Sequence, residues 1–261
     1  MPQLKGIYAY NSSVEIVFPS AFTNLPEIDV IDLSYNRIED VVFDVFNDLN
    51  LQNVVLSSNN ISHIDRGAFS NMPRLNSLLL DNNNLREFNK LWLTNSTSVK
   101  VLDLSSNNIL ALWAWSFEWF PDLAYLDVSF NKITEIGLGT FLNVKQLDFA
   151  DFSGNDITEV KPNIFYRGIT VRELRFAMNH ISSLSEELFT AADIHLIALH
   201  MNPWTCPDLK KVMKWATIYN VKILDDTVDD RINNSQKGTD VLGSLDEVDT
   251  AQDGVEASLK L

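Results

Sequence analysis

The sequence predicts an α/β solenoid: a right-handed horseshoe with about nine short parallel strands along its concave side and a short helical cap at its C-terminal end. Two periodicities predict it. Asn36 returns at Asn59, Asn83, Asn107, Asn131, Asn155, Asn179 and Asn202, a spacing of 23 or 24 residues. Each copy stands in one frame, with apolar residues eight, five and three places before the asparagine and another two places after it. Ile28, Ile31, Leu33, Asn36, Ile38 is one such set, and Val99, Leu102, Leu104, Asn107, Ile109 is another. The second periodicity is a phenylalanine ten residues after the asparagine, at Phe46, Phe69, Phe117, Phe141, Phe165 and Phe189.

Each element follows from that frame. Residues five and three places before the asparagine lie on one side of an extended segment, because side chains alternate across a strand. One such strand cannot bury its apolar face, so neighbouring copies must stack on it. Where the chain leaves the strand, the asparagine amide offers two donors and an acceptor to loop backbone that burial would otherwise orphan. The phenylalanines are expected to form a spine in the convex half. That spine breaks after Asn83, where Leu93 with Trp92 beside it takes the place. Upstream, Leu4, Ile7 and Ala9 form a degenerate first strand, with Phe22 and Leu25 behind it. Ser12 stands there for the asparagine and makes a weaker rung.

The frame is the L-x-x-L-x-L-x-x-N-x-L signature of a leucine-rich repeat. Residues 1–202 are read as the solenoid, 203–224 as a degenerate cap and 225–261 as a disordered acidic tail. The cap reading rests on Asn202-Pro203-Trp204-Thr205-Cys206, followed by Leu209 and Trp215. These residues, with the phenylalanine-bearing repeat, resemble the extracellular, "typical" 24-residue class of animal leucine-rich repeat proteins. Insect leucine-rich immune proteins and Toll-like receptor ectodomains belong to that class. The resemblance implies a secreted or cell-surface glycoprotein with a role in recognition, scaffolding or signalling in innate immunity. The chain departs from the class at Asp208, which stands where the second cysteine of the cap is expected. Cys206 is the one cysteine of the chain, so the cap disulfides cannot form. Thr205 and Asp208 instead supply a helix start around Pro207. Leu209, Val212, Met213, Ala216 and Tyr219 fall at helical spacing as its packing face, and Val221 to Leu224 reads as a strand.

Composition narrows the function. Net charge is −15, and residues 225–261 carry ten acidic side chains against three basic ones. Nucleic acid and anionic membranes need basic surface, and the charge argues against both as partners. No stretch approaches a membrane span. The opening residues lack the apolar run of a signal peptide, and Met1 is read as a truncation point or an internal start, with a signal peptide and cap expected upstream. The sequons at Asn11, Asn60, Asn95 and Asn233 are glycosylation candidates, although 26 asparagines and 35 serines and threonines yield about as many by chance. No glycine-rich phosphate loop, metal-ligand spacing or nucleophile elbow is present, so no cofactor and no catalysis are expected. Cys206-Pro207-Asp208 fits the Cys-x-Asp motif of bacterial leucine-rich repeat ubiquitin ligases, but too little chain remains for their catalytic domain.

Binding by a surface is the leading reading, with a protein ligand or co-receptor as partner. The exposed strand positions lie six, four, two and one before each asparagine. They place Tyr8, Tyr10, Asp32, Tyr35, Asp103, Tyr125, Asp127, Phe130, Phe149, Asp151, Arg175 and His200 on the concave face. Tyrosine and arginine there suit an interface. Phe130 and Phe149 are apolar where solvent is expected, either as partner contacts or packed on each other. Asp103, Asp127 and Asp151 stand on successive strands about 4.8 Å apart. They are read either as a ladder for a cation or basic ligand or as the common Leu-Asp-Leu-Ser filling of this repeat. Trp113, Trp115 and Trp119 fill space under a widened loop, or expose a docking patch. Dimerisation through Cys206 or that patch is the corresponding expectation. Alternatives to the extracellular reading are an intracellular adaptor and a matrix or adhesion protein.

Overall fold

A computed structural model of the protein describes residues 4–165 and 168–224. The acidic segment 225–261, with the sequon at Asn233, lies outside the described residues. One large parallel sheet dominates the molecule. Its strands run in chain order: β1 (Gly6–Tyr8), β2 (Val30–Asp32), β3 (Asn53–Val55), β4 (Ser77–Leu79), β5 (Val101–Asp103), β6 (Tyr125–Asp127), β7 (Phe149–Asp151), β8 (Ile169–Arg175), β9 (Ala192–Ala198) and β10 (Lys222–Leu224). Nine of these strands come from the repeats and the tenth from the C-terminal cap, and an eleventh, the two-residue Gln146–Leu147, pairs with β8 off this path. Sequential neighbours pair in an unbroken path, the signature of stacked copies of one unit.

Register repeats with the sequence frame. Ile31 pairs with Val54, Val54 with Leu78, Leu78 with Leu102 and Leu102 with Leu126, so the residue five before each asparagine meets its counterpart at every step. All five are fully buried. The opposite side of the molecule carries little helix. Its connections are turns, short 3-10 segments and two-residue ribbons such as Ala111–Leu112 beside Glu135–Ile136. The six-residue helix α1 (Glu186–Ala191) is the exception, capped by the Ser185 hydroxyl.

The asparagine ladder is complete from Asn36 to Asn202, and it has a direction. Asn107 Nδ2 donates to Leu104 O of its own repeat at 3.1 Å and to Leu80 O of the repeat before it at 2.9 Å. Its Oδ1 accepts the backbone N–H of Leu85, also in the preceding repeat, at 2.9 Å. Every other rung repeats this pattern, down to Asn202 with Phe176 O and Ile181 N. A rung therefore binds backward. Ser12 carries no amide, but the rung that joins the first two copies belongs to Asn36, which accepts from Ser12 N and Val14 N. The first joint is as well made as the rest, and the weak rung expected at Ser12 is not a joint of the described solenoid.

The phenylalanine spine stacks in two runs. Phe22, Phe46 and Phe69 lie 5.6 and 5.5 Å apart, and Phe117, Phe141 and Phe165 follow at 5.5 and 5.4 Å. Between them Phe88 replaces the missing ring: it meets Phe117 at 5.1 Å and Trp92 edge-on at 5.7 Å. The gap is thus filled from a different place in the repeat, by a residue outside the ten-residue rule.

The cap is the helix α2 (Cys206–Ile218) followed by β10. Thr205 Oγ1 accepts the Asp208 N–H, and Pro207 sits in the first turn, where its missing N–H costs nothing. Val212 and Ala216 are buried, and Trp215 and Tyr219 pack half-buried against Phe189. Leu209 and Met213, expected on this face, are instead 38% and 53% exposed. The buried stripe lies one step round the helix, because the Phe189 ring draws Trp215 and Tyr219 inward. Trp204 closes the end by donating its indole N–H to Leu199 O at 2.8 Å.

Candidate protein-binding surface

Two rows of side chains cross the concave sheet at its centre. Six residues before the asparagine stand Val101, Tyr125, Phe149 and Glu173. Four before it stand Leu79, Asp103, Asp127, Asp151 and Arg175. The pairing sets them side by side: Asp103 meets Asp127, Asp127 meets Asp151, and Asp151 meets Arg175. Tyr125 and Phe149 stack at 4.8 Å with 14° between their planes. Arg175 closes the strip, its guanidinium 5.4 Å over Phe149 and ion-paired with Glu173.

This arrangement changes the exposure expected of the face. Phe149, Asp151 and Arg175 are each only 8% exposed. Phe149 is covered laterally, by Tyr125 on one side and Arg175 on the other. It does not meet Phe130, whose ring lies over Gly154 instead. Gly154 has φ +68, and a Cβ there would stand 2.7 Å from the Phe130 ring, so any side chain at this position would have to displace that ring. Phe130 itself is 52% exposed.

The electrostatics follow from crowding. Each ladder carboxylate accepts a backbone N–H from the serine two residues on: Asp103 from Ser105, Asp127 from Ser129 and Asp151 from Ser153. Those bonds favour ionisation, but burial outweighs them. Burial, and then the charge of Asp81, push Asp103 up to about 7. Burial with Asp103 and Asp151 on either side drives Asp127 well above the usual carboxylate range. Asp151 is raised by burial and is partly relieved by Ser153 and Arg175. The Tyr125 hydroxyl is raised by burial and by the three aspartates. Near neutral pH the ladder therefore holds protons that isolated aspartates would have lost. Among the described residues no group of three His, Cys, Asp or Glu converges as a metal site.

Two members of this cluster escaped the sequence reading. Glu173 was not singled out, although it follows the frame and anchors Arg175. Asp81 stands two before its asparagine, where most copies carry serine, and that substitution was the available signal. Burial raises its carboxyl against the hydrogen bond from Ser57.

The remaining candidates do not join the strip. Tyr8, Tyr10 and Tyr35 are 61%, 61% and 65% exposed at the N-terminal end. Three strand steps, about 14 Å, separate Asp32 on β2 from Asp103 on β5. Asp32 is held by the Ser34 hydroxyl and N–H, and His200 is half-buried at the far end. On the opposite surface Trp113 and Trp115 are 62% and 47% exposed, which overturns the space-filling reading for both. Trp119 does pack against the core, with Lys90 at 5.0 Å over its ring. Asn11, Asn60 and Asn95 are exposed, and Asn95 Nδ2 donates to Asn71 Oδ1 at 3.0 Å. Cys206 is a free, exposed thiol.

The family model described as leucine rich repeat matches residues 49–109 and 97–157, the centre of the ladder. Residues 49–157 of this chain are leucine-rich repeats. Such repeats are a scaffold for protein interaction. Among solved structures, the leucine-rich repeat chain is similar to one in the LRIM1/APL1C complex: TM-score 0.62, 18% identity, 94% of this chain and 46% of that one. It is similar to the APL1 leucine-rich repeat domain at TM-score 0.61 and 21% identity, over 82% of this chain and 52% of that one. A third similarity is to a chain of the mouse RP105/MD-1 complex, with TM-score 0.68 and 20% identity over 85% and 38%. At these identities the likeness is one of fold, and the chain spans about half or less of each of those lengths. No curated protein matches it by sequence. Among the described residues no helix is long and apolar enough to cross a membrane.

Proposed function

We propose that this leucine-rich repeat chain is an extracellular recognition module whose concave face binds a protein partner by a basic side chain. The observation that carries the reading is the strip of Asp103, Asp127 and Asp151 beside Tyr125 and Phe149, closed by the chain's own Arg175. A guanidinium suits such a place, because it bonds carboxylates and stacks on aromatic rings at once. Arg175 does so at one end, and the Tyr125, Asp103 and Asp127 end offers the same chemistry to a cation from outside. A partner cation there would draw the ladder toward its ionised form and release protons. Negative charge across the molecule would steer such a partner in.

Two likenesses support the setting. The Asn202-Pro203-Trp204-Thr205-Cys206 turn resembles the cap of secreted repeat proteins. The structural neighbours include LRIM1 with APL1C and RP105 with MD-1, proteins solved in complexes. A role in innate immune recognition is the reading those likenesses favour.

The test is capture from medium conditioned by the source tissue. Beads would carry the wild-type chain, an Asp103→Asn/Asp127→Asn variant, or a Trp113→Ala/Trp115→Ala variant. A protein held by the wild type and the tryptophan variant but lost with the aspartate variant is the expected result. Loss with the tryptophan variant alone would move binding to the other surface and sink the proposal. The secretory setting is checked separately: endoglycosidase treatment of the native protein should lower its apparent mass, and an unchanged band would count against secretion.

A further inference from the structure

The loop surface opposite the concave sheet carries an apolar patch that the fold leaves in water. Trp113 and Trp115 are 62% and 47% exposed, and Leu110 and Leu138 are each 54% exposed. The patch crosses a joint between repeats, where the Trp115 N–H donates to Leu138 O at 3.2 Å. Trp115 also departs from the frame. Eight places after the rung position the backbone is left-handed at Ser20, Asp44, Gly67 and Gly139, all small or polar. Trp115 takes the same turn at φ 60, a region that bulky side chains rarely enter. Its indole lies on Gly139, where a Cβ would stand 3.0 Å from the ring. Glycine would make this turn with less strain, so packing within the chain does not account for a half-exposed tryptophan there.

We propose that this patch is the interface between two copies of this chain, joined about a two-fold axis. Charge selects a second copy as the occupant. The chain carries a net −15, so two copies repel over most of their surface. Around the patch the charges balance. Lys90, which donates to Trp115 O at 3.3 Å, pairs with Glu118. Glu135, beside Ala111 in the two-residue ribbon, pairs with Lys161 at 3.5 Å. Arg86, whose carbonyl accepts the Leu110 N–H, and Glu87 add one charge of each sign. A surface that meets its own image needs such a neutral rim, because a rim of one sign would set like charges against each other. A partner of strong net charge gains nothing there. Area agrees. The two indoles leave roughly 250 Å² in water. With the two leucines the patch reaches on the order of half the ~800 Å² that each partner gives to a stable interface. That suits a reversible dimer anchored by tryptophan, a residue favoured at the centre of interfaces. Pairing on this side leaves both concave strips open.

Sedimentation velocity of the full chain tests this, with reductant present so that Cys206 cannot link two copies. Loading concentrations reach about 100 µM, enough to reveal a micromolar constant. The expected result is a reversible monomer–dimer equilibrium that Trp113→Ala/Trp115→Gly weakens about thirtyfold or more, the scale of truncated interface anchors. Glycine accepts the left-handed turn at position 115, so the thermal midpoint of this variant should not fall and loss of the dimer would not reflect misfolding. Leu138→Glu, which sets like charges across the axis, should abolish the dimer independently. Ile16→Ala/Phe18→Ala trims apolar groups that are 60% and 56% exposed elsewhere and should leave the constant unchanged. A wild-type chain that stays monomeric would overturn the proposal. So would a dimer that survives either patch variant, or one lost equally with Ile16→Ala/Phe18→Ala. None of these outcomes depends on the concave strip, so this proposal and the proposed function fail independently.

Discussion

Asn107 shows how a single side chain sets the joint between two repeats. It satisfies three carbonyls, of Leu80, Leu104 and Ser105, and one N–H inside the loops, and the first two carbonyls and the N–H are buried from water. Asn107→Ala should therefore cost about 1–3 kcal/mol, seen as a lowered midpoint in chemical denaturation, while Ser12→Ala should leave the midpoint almost unchanged. Asp103 governs a pH effect whose sign is fixed. Its carboxyl titrates at about 7 in the folded chain, against about 3.9 when unfolded, so the folded state binds the proton more tightly. That contribution is full below about pH 4 and is lost as pH rises through about 7. Asp103→Asn keeps the acceptor for Ser105 N–H and removes the titration. Its stability should fall less than that of the wild type between pH 5 and 8, and parallel curves would refute the assignment. The turns hold another residue-scale finding. The position before the asparagine lies at positive φ in all eight copies that carry one, including Tyr35 (φ 55), Phe130 (φ 53) and Met178 (φ 55). Residue type could not have announced this, because bulky side chains rarely adopt that region. The rung, which pins the backbone on both sides, imposes it.

At the scale of strands and spine, the sequence was most legible where one strand decides its own fate. The apolar positions five and three before the asparagine are buried as the frame requires, because alternation within a strand needs no knowledge of neighbours. The burial of Phe149 was illegible for the opposite reason: it depends on Tyr125 one strand away and Arg175 on the other side. Phe88 was missed similarly. It lies outside the ten-residue rule and matters only because Leu93 leaves a gap that its ring can reach. Phe88→Ala would open a cavity between the two aromatic runs and should cost about 3–5 kcal/mol. Thermal unfolding of this variant beside Phe43→Ala, a half-exposed ring, would check it. The cap helix divides in the same way. Its start at Thr205 was readable from local chemistry, whereas its buried face was set by the distant ring of Phe189.

Over the whole molecule, stability is shared between neighbours, since each repeat touches only the copies beside it. The centre has a repeat on either side, while the C-terminal end is closed by one helix without a disulfide. Hydrogen exchange should accordingly show α2 and β10 opening at lower free energy than β5 to β7. Trp215→Ala should hasten exchange in the cap and leave the centre as it was, whereas uniform acceleration throughout would show a single cooperative unit. The concave strip lies in that centre, with its carboxylates and rings held by flanking strands.

The backward reach of the asparagines also bears on how the chain comes off the ribosome. Each newly made repeat brings the amide that its predecessor lacks, so a loop stays incompletely bonded until some 23 more residues have emerged. Rungs are thus completed in the order of synthesis, and the repeat last to emerge is the one whose loop still lacks its rung. Asn202 ends this sequence: it completes the last repeat, and the residues directly after it, Pro203 and Trp204, turn the chain into a helix instead of another strand.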